Sequence, residues 1–172
     1  MVNLKRIMVC IIVVAFMFVF IGCNIRLVLV DGIAMYPTLH DGDRFVLDAL
    51  AGALNHNDII VFEVPFEDFG YSMMVSRVVG LPGDEISIDF ESGLITRNGN
   101  LLSHEIIDGY LYENGHRINT PTNVSDDMTN GIYTVPENHL FVLGDNRNAS
   151  FDSRHNSIGF VDKNNVMGVV NP

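Results

Sequence analysis

The stretch EISIDFESGLITRNGN, residues 85–100, decides the fold class. Ile86, Ile88 and Phe90 occupy every second position, with Ser87 and Asp89 between them. Side chains change sides at each residue of a strand, so this alternation reads as one buried and one solvated face. Asn98-Gly99 then stands between apolar runs. Both residue types tolerate positive φ, which two-residue hairpin turns demand. The stretch therefore reads as strand, turn, strand.

Working outward, RFVLD (44–48), DIIVFEV (58–64), YSMMVSRVV (71–79), HLFVLGD (139–145) and VMGVVN (166–171) are short runs rich in β-branched and aromatic residues. Helical spacing is nearly absent, apart from a short turn expected in LDALAGALN (47–55). Many short strands with frequent turns predict a mostly β domain. From Ser103 to Asn130 the patterning weakens, and an inserted lobe or long loops is expected there. In VPFEDFGYSMM (64–74), Phe66, Phe69, Tyr71 and Met73 surround Glu67 and Asp68. They read as a hairpin tip folded into the core, or as a tip dipping its rings into a membrane at headgroup level.

The N-terminus sets a location. Lys5 and Arg6 precede an uncharged apolar run, Ile7 to Cys23. At about 1.5 Å rise per residue it spans roughly 26 Å, close to the ~30 Å hydrocarbon core. Residues 7–23 thus read as a transmembrane helix, with residues 1–6 in the cytoplasm by the positive-inside rule and residues 27–172 outside. After Arg26, LVLV (27–30) is expected to continue the apolar segment at the interface. Gly22-Cys23 also resembles a lipoprotein box, in which case a lipid on Cys23 would tether the same domain.

Both cysteines, Cys10 and Cys23, lie in this segment, so the outer domain has neither disulfides nor thiol chemistry. From Leu27 onward 7 basic residues face 21 acidic ones, a balance of −14. Nucleic acid is excluded as a partner, because phosphate binding needs a basic surface.

Four segments carry the chemistry: AMYPTLHDGD (34–43), NDIIVFEVP (57–65), SRVVGLPGDEI (76–86) and GDNRNASFDSR (144–154). In this order behind one anchor they resemble the type I signal peptidases. The resemblance implies a β-rich catalytic domain on the outer membrane surface that cleaves signal peptides after small residues at −1 and −3. It implies a Ser-Lys dyad, in which a lysine buried among apolar groups loses its proton and takes the serine's. No cofactor and no metal is implied. The family serine falls on Ala34 and the family lysine on Ser76. By the same resemblance Ser150 would bond the lysine amine, Asp145 would pair with Arg77 and Asp152 with Arg154. Gly32 and the Ala34 N–H would lie at the oxyanion hole. Gly80 and Gly144 are expected to let strands turn sharply.

Alanine cannot attack a carbonyl, and serine is a poor proton acceptor. The chain holds two lysines, Lys5 on the cytoplasmic side and Lys163 in VDKNN, which reads as a solvated loop. His155 is the histidine nearest a motif, and it reads as a polar surface residue. The expectation is a catalytically inactive homologue that binds signal peptide segments of exported proteins. Its other expected partners are the lipid bilayer and an active paralogous signal peptidase. Two further readings stand beside it. One is an active enzyme altered at both positions in the laboratory. The other is a regulatory membrane subunit that binds no peptide.

Overall fold

The computed structural model describes residues 26–49, 52–66, 70–89, 94–102, 105–107, 110–113, 116–117 and 131–170. The apolar run at 7–23 lies outside them. No helix among the described residues is long and apolar enough to cross a membrane.

The described chain is built of antiparallel strands, with one 3-10 turn, Lys163–Asn165. Seven strands make the main sheet. In chain order they are β1 (Arg26–Leu29), β2 (Arg44–Asp48), β3 (Ile59–Phe66), β4 (Gly70–Gly80), β12 (His139–Leu143), β13 (Val161–Asp162) and β14 (Val166–Val170). Their lateral order is β1-β2-β14-β3-β4-β12-β13. A second sheet, β11-β5-β6-β7, contains β5 (Glu85–Ile88), β6 (Ile95–Arg97), β7 (Asn100–Leu101) and β11 (Gly131–Thr134). Three short strands, β8 (Glu105–Ile107), β9 (Tyr110–Glu113) and β10 (His116–Arg117), form a third sheet within the weakly patterned segment.

The opening stretch folds as its pattern dictates. Ile86 and Ile88 are buried, and β5 pairs with β6. Asn98 and Gly99 turn the chain into β7 with φ of 52° and 74°. Phe90 lies outside the described residues. β3 is the central strand, with both faces covered. Ile59 and Val61 join one core cluster with Val28, Met35, Leu39 and Leu47. Ile60, Phe62 and Val64 join another with Val78, Leu140, Val142 and Val169. This explains why DIIVFEV reads as a continuous apolar run rather than an alternation. Val79, Phe141 and Leu143 share a third cluster with Ile86, Ile88, Ile95 and Val135, which ties the second sheet to the first.

Several expectations are corrected. LVLV does not simply continue the apolar segment. Arg26–Leu29 is a strand paired with Arg44–Leu47, and Val28 is buried in the core. Residues 27–30 are all apolar, so nothing in them set the strand apart from the apolar run before it. In LDALAGALN no described residue is helical. In the β3–β4 hairpin the ladder runs out to Phe66 opposite Gly70. There Phe66 packs on the core while Tyr71 and Met73 are exposed, so of these three only Phe66 folds inward. Phe69, Glu67 and Asp68 lie outside the described residues. Gly80 and Gly144 are not turn glycines. A Cβ on Gly80 would come within 2.9 Å of Val135, so the residue allows close packing instead.

Candidate functional site

Residues 30–43 form a closed loop between β1 and β2. Val30 N–H donates to Asp43 O at 2.9 Å and Gly42 N–H to Val30 O at 2.9 Å. Gly32 and Gly42 hold φ of 90° and 86°, where a side chain would be strained. Asp41 Oδ1 accepts from Gly32 N–H at 2.8 Å, and Asp43 Oδ2 from His40 N–H at 2.7 Å. Met35 and Leu39 anchor the loop in the core, which leaves Ala34 half-buried between them and the surface. The Gly32 N–H is therefore occupied by Asp41. The Ala34 N–H donates to no described residue.

β4 brings Ser76 and Arg77 to the same place. Ser76 pairs with Ile60 and is 1% exposed. Arg77 points to the other face and grips Asp145 with two bonds, Nε to Oδ1 at 2.7 Å and Nη2 to Oδ2 at 2.5 Å. Its Nη1 donates to Asn57 O at 2.8 Å. Thr38 Oγ1 donates to Asp145 Oδ2 at 2.5 Å. Asp145 thus joins β4, the 30–43 loop and the segment after β12. Thr38 and Asn57 were not singled out from sequence, because a backbone carbonyl and a loop hydroxyl leave no motif.

Leu143 pairs with Arg77, which brings the segment that begins at Gly144 beside β4. A Cβ on Gly144 would lie 2.0 Å from Ser150 Oγ and 2.6 Å from Ala34 O. Gly144 is therefore the point on which Ala34 and Ser150 converge. Ser76 Oγ and Ser150 Oγ are both buried and have no hydrogen-bond partner among the described residues. Asn146 N–H donates to Ala34 O at 2.9 Å, and Asn146 Nδ2 to Ile33 O at 3.1 Å.

Asp152 is fully buried and pairs with Arg154, Nε to Oδ1 at 2.8 Å and Nη2 to Oδ2 at 2.9 Å. It also accepts from Gly144 N–H at 3.0 Å. Burial alone would raise the carboxyl pKa. The Arg154 charge and hydrogen bonds, with the Gly144 N–H, outweigh it and hold the group below its ordinary value. Ser150 adds to this from the same side without meeting hydrogen-bond geometry. This pair pins the loop that carries Ser150.

His155 is not an open surface residue, as expected from sequence. It is half-buried and lies 4.3 Å from the Phe151 ring, which in turn lies 6.2 Å from Phe66. Burial lowers its pKa, and Arg154 adds to that against the opposing field of Asp152. Lys163 sits in the 3-10 turn rather than a loop and lines a cleft of about 340 Å³ with Leu54, Val166 and Met167. That cleft shares no residue with the Ala34–Ser76 region. Among the described residues no cluster of three or more metal-ligating side chains occurs.

Residues 3–172 match the model of the family described as signal peptidase, peptidase S26. The chain belongs to this family. It is 37% identical over 144 residues to signal peptidase I of Bacillus licheniformis, covering 81% of this chain and 71% of the relative. It is 34% identical over 144 residues to signal peptidase I S of Bacillus subtilis strain 168, with the same coverage. A crystal structure of a signal peptidase I from Enterococcus faecalis V583 shares 29% identity, with a TM-score of 0.47, over 70% of this chain and 98% of that one. In this signal peptidase homologue two polar networks are formed, Arg77–Asp145–Thr38 and Arg154–Asp152–Gly144.

Proposed function

We propose that this chain is a membrane-anchored signal peptidase homologue that binds extended peptides without cleaving them. One observation carries the proposal. Ala34 and Ser76 stand where the family resemblance puts the nucleophile and its base, within an otherwise complete frame. A methyl group cannot attack an amide. A hydroxyl cannot serve as a base near neutral pH. The two buried hydroxyls without partners, Ser76 Oγ and Ser150 Oγ, support this reading. Buried polar atoms are nearly always bonded, and a lysine amine at residue 76 would give Ser150 a partner.

Magnitude separates cleavage from binding. Loss of the serine or its base costs about 10⁶-fold in turnover in a serine protease. Binding and an oxyanion hole alone leave ~10³–10⁴ over water. Peptide addition to a strand edge depends on main-chain hydrogen bonds and side-chain pockets. Beyond Arg77, residues 70–76 of β4 pair with β3 on one side and with no described strand on the other. That edge suits an extended peptide, and Tyr71 and Met73 stand exposed along it. Segment 7–23 would anchor the domain outside the membrane, with residues 1–6 in the cytoplasm. The ligands would be signal peptide segments of exported proteins, or a segment of an active paralogous peptidase.

The test is a cleavage assay of the purified full chain against a preprotein. No cleavage is expected from the natural sequence, whereas Ala34→Ser with Ser76→Lys should give measurable cleavage. Cleavage by the natural chain that disappears on mutating Ser76 or Ser150 would defeat the proposal.

A further inference from the structure

We infer that Asn146 is the positioning residue of this site: it holds both peptide planes that flank Ala34, and so sets where the Ala34 N–H and Cβ point. The inference deepens the peptide-binding reading above and rests on it for its ligand. Asn146 Nδ2 donates to Ile33 O at 3.1 Å. That oxygen belongs to the plane preceding residue 34 and also accepts from Tyr36 N–H at 3.1 Å. Asn146 N–H donates to Ala34 O at 2.9 Å, which belongs to the plane following it. Only an N–H can meet a carbonyl oxygen, so the side-chain amide orientation is dictated by its acceptor.

A trans peptide is planar, with C=O and N–H on opposite sides. Drawing Ile33 O toward Asn146 therefore turns the Ala34 N–H away from it. That N–H donates to no described residue, whereas the Gly32 N–H two residues earlier is held by Asp41. φ and ψ of residue 34 are rotations about the two bonds that join these planes to its Cα. Asn146 holds both planes, with Tyr36 N–H sharing the Ile33 oxygen, so neither rotation is free and the Cβ direction is set as well.

The clamp has a firm base. Arg77 and Thr38 hold Asp145, the residue before it. Arg147, the residue after it, donates from Nε to Gly144 O at 3.0 Å. Asn146 O accepts from Ala149 N–H at 3.0 Å. The open Ala34 N–H is thus a preorganised donor for a carbonyl or carboxylate oxygen of an extended peptide.

The experiment uses the full chain in detergent micelles, with Asn146→Ala and the isosteric Asn146→Asp. Both remove the side-chain donor and keep the backbone bond, and thermal unfolding checks that each is folded. Backbone relaxation at residue 34 should give an order parameter near ~0.85 in the natural chain and below ~0.6 in both variants, with Leu39 unchanged. Titration with a signal-peptide segment carrying alanine at −1 and −3 should shift the Ala34 amide proton. Affinity should fall roughly tenfold in the variants, the effect of one hydrogen bond. An unchanged order parameter at residue 34 overturns the clamp. Lowered order with unchanged affinity overturns its role in binding. A natural chain that binds no peptide overturns the peptide-binding reading instead, and the order parameters still decide the clamp.

Discussion

Ser76 takes a hydroxyl into a position 1% exposed, where Oγ finds no partner among the described residues. An unmade hydrogen bond in the interior costs about 1–3 kcal/mol, and Ala keeps nearly the same volume. Ser76→Ala should therefore raise stability by about 1 kcal/mol, measured by chemical denaturation. A loss of stability would mean that the hydroxyl is bonded in solution. His155 behaves differently. Burial against Phe151 disfavours its imidazolium, so the folded pKa lies below the ordinary 6.5. Its contribution to stability is complete above 6.5 and declines as pH falls through that value, since the unfolded chain takes up the proton first. A proton-NMR titration should place its midpoint below 6.5, and Phe151→Ala should move it upward by admitting water. Ala34 and Ser76 are proposed as site positions from the motifs around them. Asn146 was not, because its two bonds go to backbone oxygens 112 and 113 positions away, and a backbone acceptor puts no constraint on residue type.

Strands β4, β5 and β6 meet at the turn that follows Gly80. Asp84 ties that meeting together. His56 Nε2 lies 2.6 Å from its Oδ2, Leu81 N–H donates to Oδ2 at 2.8 Å, and Asn98 Nδ2 to Oδ1 at 2.7 Å. Partial burial raises the carboxyl pKa. The bonds from His56, Leu81 and Asn98 outweigh it and leave the group below its ordinary 3.8. The sign follows from proton uptake. The stabilisation is present above the unfolded value and is lost as pH falls through the lower folded value. Asp84→Asn should lower the denaturation midpoint near pH 7, and the gap to the natural chain should close as pH falls below 3.8 and through the lower folded value. A gap independent of pH would assign the effect to shape rather than charge. At this scale the strands were largely readable. β5 and the Asn98-Gly99 turn follow from local alternation and from residues that accept positive φ. β1 was hidden by the apolar run before it, and β8 to β10 by weak alternation.

Across the whole molecule, the proposed function makes activity a property of two residues together. Ala34→Ser alone supplies a nucleophile with no base, and Ser76→Lys alone a base with nothing to activate. Dyad members act as a unit, so removing either costs nearly as much as removing both. In the preprotein assay both single variants should stay within error of the natural chain, and only the double variant should cleave. Cleavage by Ala34→Ser alone would show that another group on the chain serves as base. His155 would then be the group to change first, since it lies on the Ser150 loop beside Phe151.

What the residues determined by themselves is local. Alternation, turn-forming pairs and four ordered motifs predicted strands, hairpins and a family, because each depends on neighbours within a few positions. The absence of an attacking group at residue 34 and of an amine at residue 76 was likewise written in the chain. Only the tertiary structure brought residues 34 and 150 against the Gly144 α-carbon, where a single methyl would collide. It alone decided which buried hydroxyls go unbonded and which N–H remains open. Those facts depend on strand register and backbone direction, and these arise from packing distant segments against one core.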